Sequence, residues 1–321
     1  MTHAALIIAH KNKEQLIRLI KAVSSDSVHV FIHLDKNWKL SKEEICEIAA
    51  CAKNVFVINK RIHGELDNWS LVQIALNLID AAAYNENKTG EKYSYFMLLS
   101  GQDYPIKSKR YITDFLEREY PKPIIDVETN GVPEMLGRKF GFAYYTNKID
   151  NIQRDYKKGL IRKFLVLNTV IAEKFAVKFL GMPLNRLEKL GLKLGFGSAW
   201  WILPHKVIDF ISNYINENKK AIKIYKKTAT PEETFFQTMV NMSPLYKDVF
   251  DPKGFYEKNE QHSLTYANFR APGKENVGHP HVITVEDFDR IMAKKALFAR
   301  KFDTTVDGKV LDMIDREIAD E

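Results

Sequence analysis

Some of the side chains in this sequence that can do chemistry stand at the ends of apolar runs. The stretch Tyr95-Phe-Met-Leu-Leu-Ser-Gly-Gln-Asp-Tyr-Pro-Ile-Lys107 closes an apolar and aromatic run with an amide and a carboxylate, Gln102 and Asp103. Such a pair can hydrogen-bond a ribose, a sugar hydroxyl or a metal-bound water. Ser100 and Gly101 break the run, and Pro105 opposes its resumption. Gln102 and Asp103 are therefore expected on a loop at the carboxyl end of a buried strand, where open α/β sheets bind ligands. A turn cap before a helix starting near Lys109 explains Asp103 equally well. His10 and Asn12 follow another apolar run, and Asp35 a third; Asp35 suits a ribose or base edge, or a turn.

Further groups lie in the second half. In Thr230-Pro-Glu-Glu233 the sequence fits an N-cap, a proline at the first helical position and a capping-box acid, which accounts for Glu233 structurally. A helix N-terminus also keeps a carboxylate ionised and ready to accept a proton. Arg300 and Lys301 sit inside the apolar run 296–303. Burying adjacent cations is costly unless an anion compensates, and a pyrophosphate would do so; exposure at a helix C-terminus is the alternative. Gly195 and Gly197 permit close backbone approach to a ligand. Trp200 and Trp201 face opposite ways if they lie on a strand, so one can floor a sugar site while the other packs in the core. Asp126-Val-Glu128 and Asp287-Phe-Asp289 are carboxylate pairs of metal-binding type, the second at the start of an amphipathic helix where the dipole favours acids.

Hydrophobic spacing supplies the elements that position these groups. Residues 4–9, 28–34, 55–58 and 95–99 read as strands, and 13–23, a capped segment from Ser41 through Cys51, and 69–83 as helices. This alternation predicts a doubly wound, mostly parallel sheet. Its strand ends outline a crevice sized for a nucleotide, without a GxGxxG or Walker loop. Residues 123–128, 140–145 and 195–204 are strand-like and 205–216 helical. Residues 157–178 form a basic helix with an apolar stretch, suited either to a membrane surface or to a solvated face over core.

The chain has 321 residues, 45% hydrophobic, with a net charge of +7 that favours an anionic partner. Eight Lys and Arg residues fall between Arg154 and Arg186, against Asp155 and Glu173. No groove interleaves aromatic and basic residues as single-strand binders do, so nucleic acid is not the expected partner. There is no signal-like segment and no transmembrane-length apolar window. Cys46 and Cys51 are badly placed to pair on one helix, and free thiols suit a reducing cytoplasm.

Several motifs occur in order: Ile7-Ile-Ala-His-Lys11, His33-Leu-Asp35, Trp69-Ser70, Leu99 to Lys107, Gly197-Ser-Ala-Trp200, Thr230-Pro-Glu-Glu233 and Leu297-Phe-Ala-Arg-Lys-Phe-Asp303. Together they resemble the Core-2/I-branching enzyme family, which includes peptide xylosyltransferases. The resemblance implies a single GT-A catalytic domain over 1–321. Residues 1–120 would be its nucleotide-binding half and 121–321 its acceptor-binding and catalytic half. The basic segment at about 154–190, a helical insertion, has no counterpart. It further implies an inverting transfer from a UDP-sugar, N-acetylglucosamine or xylose, with basic side chains in place of a metal. Glu233 would be the base. Asp35 and Lys301 would hold the donor, and the strand-end and adjacent-cation readings add His10, Ser100, Gln102, Asp103 and Arg300 to them. Glu128, Arg138, Lys139, Trp200 and Phe269 would hold the acceptor, a glycan or lipid-linked saccharide. One departure is Gly278, where the animal branching enzymes have a diphosphate-binding arginine; His279 or Arg300 would have to replace it. The disulfides and anchor of those enzymes are also missing, which implies a bacterial-type cytoplasmic enzyme; separately, the basic helical pattern of residues 157–178 is what suggests peripheral membrane contact and a lipid-linked acceptor.

Overall fold

The computed structural model describes residues 1–129, 159–251, 264–269 and 280–319, with 142, 145, 148–149, 152–153 and 155–156 between them. Its centre is a five-stranded sheet, ordered β3-β2-β1-β4-β6, built from β1 (Thr2–Ala9), β2 (Val28–Leu34), β3 (Val55–Val57), β4 (Tyr93–Ser100) and β6 (Ile202–Pro204). The first four strands run parallel. Only β6 is antiparallel, pairing with β4 from Tyr95–Pro204 to Met97–Ile202. The expected mostly parallel α/β architecture is therefore present.

The strands alternate with helices because each apolar period switches from two to near four. Helix α1 (Lys13–Val23) starts at Asn12, whose side chain caps Gln15 N, and buries Leu16, Leu19 and Ile20. Helix α2 (Lys42–Ala50) opens with the expected Ser41–Glu44 capping box. Helix α3 (Trp69–Thr89) runs past the expected end and stops at Gly90, whose φ of 79° suits a residue without Cβ. Helix α4 (Lys109–Glu119) is capped by Ser108, not by Asp103.

The second half adds α5 (Leu160–Leu180), α6 (Pro183–Glu188), α7 (His205–Glu217), α8 (Lys219–Tyr225), α9 (Phe235–Met242), α10 (Phe288–Met292) and α11 (Lys309–Ala319). Helices α3, α7, α8 and α9 cover one face of the sheet around Leu78, Trp201, Tyr225 and Phe235. Helices α1, α4 and α11 cover the other around Leu16, Phe115 and Ile314. No described helix is long and apolar enough to cross a membrane, and Cys46 and Cys51 are free thiols.

A second sheet, ordered β5-β8-β7, corrects two expectations. Asp103 does not sit on a loop: β5 (Asp103–Pro105) pairs antiparallel with β8 (Phe298–Arg300), and β7 (Thr265–Ala267) joins β8 from the other side. Pro105 is tolerated because β5 is an edge strand. Arg300 thus ends a strand, not a helix. Residues 123–128 are not a continuous strand either; isolated bridges join Ile124 to Ile202 and Glu128 to Phe196. Of the aromatic segment 140–145, only Phe142 and Tyr145 lie among the described residues.

The glycines at 195 and 197 also differ from expectation. Their close approach is to the chain itself. A Cβ on Gly197 would lie 2.1 Å from the Asp126 carbonyl oxygen, and one on Gly195 would lie 2.8 Å from the Gln237 backbone. Gly197 N donates to Glu233 O at 2.9 Å, so this tight packing joins the two segments that carry Trp200 and Glu233. Gly197→Ala is expected to destabilise the chain by about 2–3 kcal/mol or more through overpacking, measured by urea unfolding. A variant as stable as the parent would overturn this packing role.

Candidate active site

The carboxyl ends of β1 and β4 open into a cavity of about 220 Å³. Ile8 and Leu98 form its sheet side; Trp200, Phe236, Phe269 and Ala267 add apolar wall; Glu232, Glu233, Ser198 and Arg300 supply polar groups. Four residues singled out from the sequence, Trp200, Glu233, Phe269 and Arg300, are thus brought together from distant segments. Trp201 points the other way, 1% exposed and packed on Phe236 with ring centroids 4.7 Å apart. The expected strand over 195–204 is confined to Ile202–Pro204, so neither tryptophan lies on it, yet the two divide between cavity and core.

Arg300 is the most constrained of these groups. Its guanidinium lies 4.1 Å from the Trp200 ring centroid, a cation–π contact. Its Nε is 3.4 Å from Asp103 Oδ1, and Asp103 is fully buried. Asp103 Oδ2 accepts from Ser100 N at 2.8 Å. Burial pushes the Asp103 carboxyl up and Arg300 opposes that; burial pushes Arg300 down and Asp103 opposes that. A guanidinium keeps its proton in proteins, so the pair is charged. Arg300 Nε and Nη1 and Asp103 Oδ1 have no hydrogen-bond partner among the described residues. Buried donors at a cavity wall are costly until a ligand acceptor meets them.

Lys301 adds a second cation beside it. Burial, then Lys11 and Arg300, lowers the pKa of its ammonium, with Asp303 opposing. Among the described residues no carboxylate forms an ion pair with Lys301. Lys11 bridges to Asp303, whose carboxyl is pulled to about 2 by hydrogen bonds from Lys11 and Thr305. His10 is held below its ordinary value by desolvation and then by Lys11 and Lys301. Lys11 after β1 and Arg300 at the end of β8 thus both bear on Lys301, a like-charge strain that an anion relieves.

Glu233 does not take the expected capping role. Thr230 adopts a left-handed conformation, φ 52°, and makes no side-chain cap. Its hydroxyl donates instead to Asp67 Oδ1 at 2.5 Å. Residues Pro231–Glu233 form one 3₁₀ turn, and α9 begins only at Phe235. Glu233 is half-buried at the cavity wall. Its neighbour Glu232, which sequence reasoning missed, is 7% exposed. Glu232 Oε1 accepts from Asp67 N at 2.8 Å, while Oε2 is buried without a hydrogen-bond partner among the described residues. Burial pushes Glu232 up to about 8; backbone hydrogen bonds from Glu232 and Asp67 oppose this, and the charges of Asp67 and Glu233 add to it. Adjacent carboxylates with contrasting surroundings are a pattern of acid–base sites. The polar doublet Glu232-Glu233 was visible in sequence, but its burial depends on Asp67, far away along the chain.

Other predicted site residues stand behind or beside the cavity. Ser100 and Gln102 are 6% and 5% exposed; Ser100 Oγ accepts from Gln102 N, and Gln102 O accepts from Phe302 N. They brace the Asp103–Arg300 corner. Asp35 accepts from Asn37 N, Gly64 N and His63 Nδ1 at 2.7–3.1 Å. Burial raises its pKa, but those hydrogen bonds win and hold it low. Glu128 is exposed, two residues from the Asp126 carbonyl that Gly197 packs against. Arg138, Lys139, Gly278 and His279 lie outside the described residues, as do Arg154, Lys157 and Lys158. Among the described residues no three His, Cys, Asp or Glu form a metal-holding group.

The profile of the Core-2/I-branching enzyme family matches residues 4–292. The chain belongs to that family. It is 25% identical over 322 aligned residues to xylosyltransferase 2 of Canis lupus familiaris, covering 97% of this chain and 33% of that protein. It is 22% identical to xylosyltransferase 1 of Homo sapiens, covering 97% and 29%. The chain therefore spans about a third of the length of these curated relatives. Mouse xyloside xylosyltransferase 1, apo form, aligns in structure over 78% of this chain and 86% of that one, at 10% identity and a TM-score of 0.32.

Burial holds the Glu232 carboxyl at about 8 in the fold, above its ordinary value of 4.5. The folded chain thus keeps a proton that the unfolded chain loses between these values. This contribution to stability is complete below about pH 4.5 and is lost as pH rises through about 8. Glu232→Gln keeps the Asp67 contact without the ionisation. Its unfolding free energy relative to wild type is expected to rise by a few kcal/mol between about pH 5 and pH 9. A pH-independent difference in paired denaturant titrations would contradict the protonated carboxyl.

Proposed function

We propose that this chain is an inverting glycosyltransferase that moves a sugar from a UDP-sugar to a glycan hydroxyl with a β-linkage. The acceptor is a glycan, free or carried on a lipid. The observation that carries the reading is the meeting of Glu233, Trp200 and Arg300, whose Nε and Nη1 are buried and unmet among the described residues, in one cavity at the carboxyl ends of the sheet. Family membership supports it.

Inversion needs a single in-line displacement. The Glu233 carboxylate takes the proton of the acceptor hydroxyl as its oxygen bonds to the anomeric carbon. The bond from that carbon to the diphosphate oxygen breaks on the opposite side, and its electron pair leaves with UDP. Arg300 and Lys301 hold the charge that develops there, with Lys11 close by. We assign them the part that a divalent ion plays in metal-dependent transferases. Trp200 and Phe269 line the cavity and offer ring faces to a pyranose, and we assign Glu128 to the acceptor. The resemblance in sequence favours N-acetylglucosamine as the sugar. The relatives are named xylosyltransferases, which makes UDP-xylose the second donor to test. The free thiols suit a cytoplasmic site of action.

Calorimetric titration of UDP, UDP-N-acetylglucosamine and UDP-xylose tests the donor side. In EDTA the wild-type chain is expected to bind UDP, and Lys301→Ala to bind it roughly 10-fold or more weakly. Binding that requires manganese would shift the charge role to carboxylates and defeat the cationic assignment. Glu233→Gln tests the base. It is expected to lower the turnover rate by about 10²–10⁴ while UDP affinity stays within about twofold of the parent. Full transfer activity in that variant would move the base elsewhere, with Glu232 the next carboxylate to substitute.

A further inference from the structure

Helix α5 does not behave as a helix of a globular core. An amphipathic helix ordinarily buries its apolar stripe. Of the 21 residues of α5, only Thr169 is buried. Ile161, Phe164, Leu167, Ile171, Phe175 and Phe179 are between 42% and 77% exposed. They are spaced three or four residues apart and so form one row, about 27 Å long at the helical rise. The row's apolar character is therefore turned to solvent along almost the whole helix.

Charge on the same helix identifies what covers it. Arg162, Lys163, Lys174 and Lys178 stand against Glu173 alone. Lys163, Lys174 and Lys178 are exposed. Lys174 and Lys178 follow Ile171 and Phe175 by three residues, which sets them along the row. Their long side chains can leave an apolar layer and reach polar headgroups. A second copy of the helix would bring like charges together across the contact. An anionic surface complements them. The helix is not apolar enough to cross a bilayer, so it would lie in the plane of the interface.

We propose that α5 docks this chain on an anionic bilayer surface, with the row from Ile161 to Phe179 in the acyl boundary and Lys163, Lys174 and Lys178 at the headgroup phosphates. The inference stands on α5 alone and is independent of what the cavity binds. It would hold the chain at a surface where lipid-carried acceptors are found.

Flotation of the full chain tests it, with vesicles of phosphatidylcholine alone and of phosphatidylcholine mixed with phosphatidylglycerol. The wild-type chain is expected to float with the mixed vesicles, weakly with the neutral ones, and less as salt rises. Phe164→Glu combined with Phe175→Glu is expected to abolish flotation. Lys174→Gln combined with Lys178→Gln is expected to lower partitioning roughly tenfold. Both double variants should melt at the wild-type temperature, because the altered side chains are exposed. A wild-type chain that stays with the unbound fraction in mixed vesicles overturns the proposal. So does a Phe164→Glu/Phe175→Glu variant that floats as well as its parent. Self-association in sedimentation that this variant loses, with no flotation of the wild type, would give the face to a second copy instead. UDP titration is a separate readout, so failure here and failure of the transferase reading are told apart.

Discussion

The buried contact between Asp103 and Arg300 is the point on which the site turns. Neither residue has a place in water, and each raises the energetic cost of the other's absence. The main sheet hands the chain to β5 through Ser100 and Asp103, and β8 returns Arg300 opposite Asp103. Register, charge pairing and ring stacking on Trp200 therefore fix one guanidinium in one orientation. The contact is also incomplete, since donors on Arg300 and an oxygen of Asp103 are unmet. A buried pair of this kind contributes little net stability by itself. Its value is a preformed charge in a low-dielectric wall, where the interaction with an anion is strengthened and no reorganisation is needed.

Around that corner, apolar packing and polar bracing have separate tasks. The aromatic cluster of Trp201, Phe235 and Phe236 makes the wall rigid from behind. Gln15 ties the wall from the front, donating to Gly101 O and Phe302 O and accepting from Thr304 N. Gly195 and Gly197 let a peptide segment pass where side chains would collide. Glu232 and Thr230 clasp Asp67, so the turn that presents Glu233 is held by the loop before α3.

Most of the first half of the chain was legible because its signals are local. Helix α1 and strand β2 have the bounds that apolar periodicity predicts, and Ser41–Glu44 caps α2 as its spacing requires. The second sheet was not legible. Its strands are three residues each, and β5 and β8 lie nearly 200 positions apart in sequence, so no window contains the pattern. The same reason hid the true duty of the glycines, whose neighbours Asp126 and Gln237 come from other segments. Thr230-Pro-Glu-Glu failed differently: the sequence satisfies a local capping rule, but Asp67 offers Thr230 a better partner and tertiary structure overrides the local preference. Glu233, Trp200, Phe269 and Arg300 were singled out by their types and settings, and the structure brings them to one cavity. That Glu232 keeps a proton depends on burial, which no residue type announces.

The path of the chain through its two sheets has a consequence for assembly in time. Strands β1 to β4 and the helices between them lie within the first hundred residues, and their parallel pairing can form as a unit of local topology. The cavity cannot. It waits for β6 to add its antiparallel edge, and then for β7 and β8 to reach back to β5. During synthesis an apolar trough at the end of the sheet precedes the guanidinium that will close it. The emerging chain therefore acquires a nucleus early and chemical competence late, and the interval between them is when its exposed β4 edge and half-built wall most need shielding.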